Sequence, residues 1–320
     1  MRIGIITPAP PRSTHGNRIT ALRWAGILKR LGHRVTISQE YEGQRYDLLL
    51  ALHARRSHAA IKRFNSEHPN SPVIVALTGT DLYRDIRKNK LAHNSLDIAT
   101  RIVALQPKAL EELKPRWRDK TRIIYQSAKR VSGNASPPFA KNSFTVCVAG
   151  HLRAVKDPFR TAMAARLLPP SSRIRILQIG RALTAAMEKR ARAEVERNDR
   201  YQWLGEQSRS RTLRILSQCH VCVISSRLEG GANIMSEAIV ASVPILASRV
   251  AGNVGILGRD YPGLFAAGDS KQLARLLLRA ERDAKFLGEL KSRVEKLSTV
   301  FDPAQEEKAW ANLIGDLHLR

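Results

Sequence analysis

Apolar residues in this chain gather in short runs, separated by longer stretches where they recur at three- and four-residue spacing. The runs Arg2–Ile6, Arg34–Ser38, Asp47–Leu52, Val73–Leu77, Ile102–Leu105 and Arg122–Tyr125 are predicted as strands. Between the first two, Arg18–Leu31 has the helical period and stops at Gly32, which suits the residue just past a helix end. A second series follows at Phe144–Ala149, Arg175–Ile179, Val221–Ile224 and Ile245–Ala247, again with helical stretches between. Strand–helix alternation of this kind predicts a parallel, doubly wound sheet, here twice over. Ser132–Pro138 builds no periodic face and reads as the linker. The expected domains are therefore 1–135 and 139–302, followed by a helical tail over 303–320.

Composition agrees with two ordinary cores. The chain has 320 residues, 43% of them hydrophobic, and no apolar stretch nears the roughly 18–20 residues of a membrane span. Met1–Pro8 reads as a first strand broken by proline, not as a signal peptide. Three cysteines give no disulfide framework, so a reducing cytoplasm is expected. Cys219 and Cys222 have a C-x-x-C spacing but fall on a predicted buried strand, as does Cys147, and are read as core residues. No metal site is expected.

Charge widens the set of partners. Lys and Arg number 54 against 28 acidic residues, a formal net charge of +26, which attracts polyanions of any kind. The basic residues are spread along helices rather than gathered in arms, aromatics are only 5%, and no base-reading segment is present. Specific nucleic-acid recognition is not expected; a small anionic substrate or an anionic membrane surface remains.

The richest chemistry lies in Glu229-Gly230-Gly231-Ala232-Asn233-Ile234-Met235-Ser236-Glu237. It follows the run Val221–Ile224 and leads into Ala238–Ala241, which predicts strand, glycine turn and helix start. Gly230 and Gly231 allow close backbone approach, and the free amides of a helix beginning near Asn233 favour an anion. Glu237 then falls one turn down the same face. One carboxylate before the turn and one inside the helix suit a nucleotide-sugar: Glu229 facing the sugar, Glu237 the ribose, and the amides around Ala232, Asn233 and Ile234 the diphosphate.

This segment resembles the E-x7-E motif of retaining glycosyltransferases of the GT-B fold, family 4, and the similarity continues through Ala238–Ser248 and Asn253 to Asp269. The resemblance implies an α/β protein of two doubly wound, Rossmann-like domains facing a central cleft, with the last helix returning to the first domain. Gly150-His151-Leu152-Arg153 and Lys156 occupy the place of that family's donor-phosphate loop, with His151 in place of an arginine; Lys156 and either His151 or Arg153 are implied to hold diphosphate without a metal. Gly16-Asn17 resembles the family's glycine turn near the donor. Thr78-Gly79-Thr80-Asp81 resembles a segment in which many relatives have histidine at the position of Thr78.

A narrower resemblance rests on Gly16–Trp24, Ala51–Ser57, Leu77–Asp85 and Gly150–Arg153 with Lys156-Asp157-Pro158, which together are similar to the selenosugar synthases of selenoneine biosynthesis. It implies a UDP-N-acetylhexosamine donor, with UDP-GlcNAc as the expected sugar nucleotide, a selenophosphate acceptor, and release of UDP and phosphate. Selenophosphate is already anionic at selenium, so it needs cationic anchoring more than a base. Arg55, Arg56 and Arg84, with Thr78 and Thr80 beside them, are the candidate acceptor contacts, and Arg12 and Arg18 stand behind them. His53 and Asp81 are candidates for positioning the water that frees phosphate. Two other readings are transfer to a lipid or polysaccharide hydroxyl, and a basic nucleic-acid-binding protein on a degenerate GT-B fold. The sequence gives no expectation of oligomeric state.

Overall fold

A computed structural model describes residues 1–130 and 142–318. The linker Ser132–Pro138 and the boundaries at 135 and 139 lie outside the described residues. Two compact units emerge. The first comprises Met1–Gln126, the short segment Glu229–Ala232, and the chain from Pro303 on; the second comprises Ser127–Leu228 and Asn233–Asp302.

The first unit holds a six-stranded parallel sheet in the order β2-β1-β3-β4-β5-β6. The strands are β1 (Arg2–Ile6), β2 (Arg34–Ser38), β3 (Leu48–Leu52), β4 (Val73–Ala76), β5 (Arg101–Ala104) and β6 (Thr121–Ile123). Successive residues divide between two cores. Leu48, Leu50 and Leu52 pack with Ile74 and Trp24 on one face, while Leu49 and Ala51 pack with Val75 and Phe64 on the other. Cover on both faces explains why the central strands β3 and β4 read as unbroken apolar runs. On the first face the helix Pro303–His318 lies against the helix Gly16–Arg30. Trp24 and Trp310 meet edge to face at 4.9 Å, an arrangement adding about 0.5–1.5 kcal/mol beyond burial. The Trp24 indole donates to the buried Glu306 carboxylate at 2.7 Å, and Arg23 pairs with the same carboxylate at 3.1 Å.

The second unit repeats the design, in the order β12-β11-β10-β7-β8-β9. Its strands are β7 (Phe144–Ala149), β8 (Ile174–Ile179), β9 (Tyr201–Trp203), β10 (Val221–Ile224), β11 (Ile245–Ser248) and β12 (Leu264–Phe265). All neighbours are parallel. The edge strands β9 and β12 were absent from the sequence expectations; with three and two residues they are too short to display a period. Cys147 on β7 sits opposite Cys222 on β10, both fully buried, and burial raises the Cys222 thiol pKa. Among the described residues no helix is long and apolar enough to cross a membrane.

Strand order locates the crevices. In open parallel sheets, ligands collect beyond the carboxyl ends of strands where the winding reverses. That point lies between β1 and β3 in the first unit and between β7 and β10 in the second.

Candidate active site

In the second unit, the loops leaving β7 and β10 are joined by hydrogen bonds. The Ser225 hydroxyl, just past β10, donates to the carbonyls of Lys156 at 3.2 Å and Asp157 at 2.9 Å. The Arg227 amide donates to the Val155 carbonyl at 2.9 Å. Asp157 has a left-handed backbone, φ +45°, and its carboxylate pairs with Arg160 at 2.9 Å and Arg227 at 3.6 Å. Lys156 is thereby fixed, half-buried, at the reversal point. Gly180 lets the exits of β7 and β8 converge: a Cβ there would lie 2.1 Å from the Gly150 carbonyl oxygen. His151 Nδ1 accepts from the Arg181 amide at 3.3 Å, so its Nε2 carries the remaining proton of the neutral ring. Arg153 is exposed. His151 thus holds the loop through its side chain, whereas Arg153 does so through its carbonyl, which accepts from the Lys156 amide at 2.9 Å.

The helix Asn233–Val240 starts where the glycine turn predicts it. Glu237, one turn in, is buried, and its Oε1 lies 2.6 Å from Arg209 Nη2 at the start of the helix Arg209–Ser217. A cavity of about 170 Å³ adjoins it, walled by Leu213, Leu216, Val240 and Ala241, with Lys129 and Arg130 at its lining. Arg209 escaped sequence reasoning, because an ion pair between residues 28 positions apart carries no local signal.

The Glu229–Ala232 segment belongs instead to the first unit, where it rests on the loop after β4. A Cβ on Gly230 would lie 2.7 Å from the Gly79 nitrogen, and one on Gly231 would lie 2.8 Å from Leu105 Cβ. Gly79 itself adopts φ +136°. Glu229 is buried and close enough to Tyr83 to help raise that phenol's pKa, although burial is the larger cause. The Tyr83 hydroxyl accepts from Gln106 at 2.6 Å.

The loops after β3 and β4 are bound together by two acids and one histidine. Asp81 is fully buried; its Oδ1 accepts from the amides of Thr78 at 3.0 Å and Gly79 at 2.9 Å, and its Oδ2 accepts from the Ala54 amide at 3.0 Å. His53, 2% exposed and at φ +75°, accepts the Arg56 amide at Nδ1 (3.3 Å) and therefore donates from Nε2 to Thr80 Oγ1 (3.0 Å). Burial is the main cause of its lowered pKa. The segment Asp81–Asp85 forms a π-turn closed by the Ile86 amide on the Asp81 carbonyl, a wide turn often found at functional sites.

That turn delivers Asp85, a residue the sequence reading passed over. Its buried carboxylate receives Arg55 Nε on Oδ2 at 2.8 Å and Arg84 Nε on Oδ1 at 3.3 Å. Arg55 and Arg84 are thus brought together, while Arg56 is exposed beside them and forms no part of this pairing. The spacing Asp81-x-x-x-Asp85 beside Arg84 was the available signal. Gly16 opens the helix Gly16–Arg30, with Asn17 half-buried after it; Arg12 adopts φ +61° and Arg18 is half-buried.

Residues 134–297 match the family model of glycosyl transferases group 1. Among solved structures, the chain is similar to Anabaena Alr3699/HepE in complex with UDP and glucose, with a TM-score of 0.79, 15% identity, and coverage of 99% of this chain and 100% of that one. It is also similar to sucrose-phosphate synthase from Thermosynechococcus elongatus, with a TM-score of 0.80, 16% identity and coverage of 99% of both chains. A trehalose-6-phosphate structure from E. coli bound with UDP-2-fluoro glucose matches with a TM-score of 0.74, 13% identity and coverage of 99% of each chain. At these identities the likeness gives the fold, which is GT-B.

Proposed function

The chain belongs to the group 1 glycosyl transferases, and from that premise we propose that it joins the sugar of UDP-N-acetylhexosamine to selenophosphate. In this reading the helix Asn233–Val240 and Lys156 take the diphosphate, Glu237 takes the ribose diol, and Glu229 faces the sugar. The neighbours bound to UDP or a UDP-sugar support a uridine donor for this fold. Arg153 is the favoured partner of the leaving phosphate, since His151 already serves its own loop. Cationic side chains and helix amides stabilise the departing charge, and no divalent metal is required.

The observation that carries the acceptor assignment is the state of the two candidate bases. Both ring nitrogens of His53 are engaged, Nδ1 by the Arg56 amide and Nε2 by Thr80, and the three hydrogen bonds to the Asp81 carboxylate come from backbone amides. A hydroxyl acceptor needs a base for its proton. Selenophosphate does not: selenium attacks C1 of the sugar with its own electron pair while the C1–O bond to UDP breaks and its electrons leave with UDP. Water then attacks phosphorus; the P–Se bond breaks with its electron pair going to selenium, and the protons of the water pass to solvent and to the selenolate, giving phosphate and the selenosugar.

The test is incubation with UDP-GlcNAc and selenophosphate followed by mass spectrometry. UDP, phosphate and a selenium-containing hexosamine are expected in equal amounts. Release of UDP only with hydroxyl acceptors, and none with selenophosphate, would replace this reading with ordinary glycoside formation.

A further inference from the structure

We propose that Asp85 is a positioning residue that converts Arg55 and Arg84 into a single fork for a tetrahedral oxyanion. The two arginines come from different loops, after β3 and after β4, and each binds Asp85 through Nε, one on each carboxylate oxygen. This geometry spends one donor per guanidinium and leaves the terminal Nη groups of both arginines uncommitted to Asp85. Guanidinium groups are planar, so fixing Nε fixes the direction in which the Nη groups point. The carboxylate is only 7% exposed, whereas Arg55 is 36% and Arg84 61% exposed, so the anchor is inside and the forks reach water. The trio carries one net positive charge, enough to attract an anion, while the carboxylate prevents two neighbouring guanidiniums from repelling each other apart.

His53 Nε2 lies 3.9 Å from Asp85 Oδ2, and its bond to Thr80 keeps the loop after β3 docked on the loop after β4. Asp81 makes the same connection through the Ala54 amide. The two arginine-bearing loops are therefore held in fixed register by buried groups, which is what a preorganised anion site requires. This inference rests on the reading of Arg55 and Arg84 as acceptor contacts and assigns to Asp85 the geometry they need.

Calorimetric titration with inorganic phosphate and with thiophosphate tests it, using the whole protein in the wild-type form and as Asp85→Asn, Asp85→Glu, Arg55→Lys and Arg84→Lys. Asparagine keeps the shape but presents an amide N–H to one Nε–H. Charge-assisted bonds of this kind imply a loss of roughly 10–100-fold in phosphate affinity for Asp85→Asn. Asp85→Glu should recover part of that loss, and each Arg→Lys variant should lose about tenfold although its charge is kept. UDP affinity should stay at the wild-type value in the arginine variants, which test the fork itself, while Asp85→Glu tests the anchor where Asp85→Asn unfolds. Wild-type phosphate affinity in a folded Asp85→Asn also overturns the proposal. Phosphate binding that is absent from the wild type, or unchanged in both arginine variants, overturns the proposal. Asp85-dependent phosphate binding without selenosugar formation would sustain the anion site and reject selenophosphate as the acceptor.

Discussion

Gly79 and Gly230 touch through their backbones: a Cβ built on Gly230 would lie 2.7 Å from the Gly79 nitrogen and 2.7 Å from the Thr78 carbonyl carbon. Neither obstacle is the end of a flexible side chain, so Gly230→Ala must move one loop off the other. An overpacked site of this sort costs about 1–3 kcal/mol. The displaced loop carries Glu229, so turnover should fall further than stability, and Tm together with steady-state rates will separate the two. Gly288 provides the contrast. It lies inside the helix Ala284–Leu297, and a Cβ there meets nothing. Gly288→Ala should therefore stabilise the protein by about 0.5–1 kcal/mol with activity intact. Wild-type turnover in Gly230→Ala would show that the contact is dispensable.

Glu237 and Arg209 form the second contact with a functional consequence. Glu237 is buried, and its Oε1 forms a 2.6 Å ion pair with Arg209 that lacks hydrogen-bond alignment. Glu237→Ala should weaken UDP binding by about 1.5–3 kcal/mol, the worth of a charge-assisted hydrogen bond, read by calorimetry. Arg209→Ala should weaken it less, because Arg209 is 44% exposed and water can replace it. Equal UDP affinity in wild type and Glu237→Ala would remove Glu237 from the donor site.

How much of this was legible beforehand follows from which forces act locally. The runs that became β1, β2, β7 and β10 coincide with their observed strands. For β1, β7 and β10 this is because burial on both faces writes itself into consecutive residues, while β2, an edge strand with no buried residue, shows itself by its alternating Val35 and Ile37. The helix start at Asn233 was legible for a similar reason, since the glycine turn and the apolar run bracket it. Arg209 was not legible, and Asp85 only through its spacing from Asp81 beside Arg84. Each owes its place to a partner on another element, Asp85 to Arg55 thirty positions away and Arg209 to Glu237. The grouping of Glu229–Ala232 with the first unit also has no local signature, since it depends on the Gly79–Gly230 approach.

Donor chemistry should proceed without a divalent cation. Lys156, held at the reversal point by Ser225, and the amides of the helix Asn233–Val240 supply positive potential where diphosphate is proposed to lie. Turnover after dialysis against a chelator should equal turnover before it to within about twofold, a difference of well under 1 kcal/mol. Lys156→Ala should lower kcat by about 10–100-fold with or without added magnesium, as loss of a charge-assisted contact of 1.5–3 kcal/mol implies. A large loss on chelation, restored by magnesium or manganese, would overturn this prediction.

The buried imidazole of His53 makes stability depend on pH in a calculable direction. Burial lowers its pKa below 6.5, with Arg56 and Arg55 acting in the same sense and Asp81 and Asp85 opposing. Between the lowered folded value and the unfolded value near 6.5, the unfolded chain binds the proton and the folded chain does not. Stability is therefore complete above about pH 6.5 and falls as the solution is acidified, by at most about 1.4 kcal/mol per pH unit for one group. His58 and His220 have pKa values lowered chiefly by burial as well, and add to the same slope. Asparagine is the informative replacement, because it tolerates the φ of +75° that His53 adopts and cannot be protonated. His53→Asn should lose some stability at pH 7.5, through the bond to Thr80, yet lose less on going from pH 6.5 to 5 than the wild type. Denaturant melts at those three pH values measure both quantities. Parallel pH profiles for the two proteins would show that His53 is not neutral in the fold.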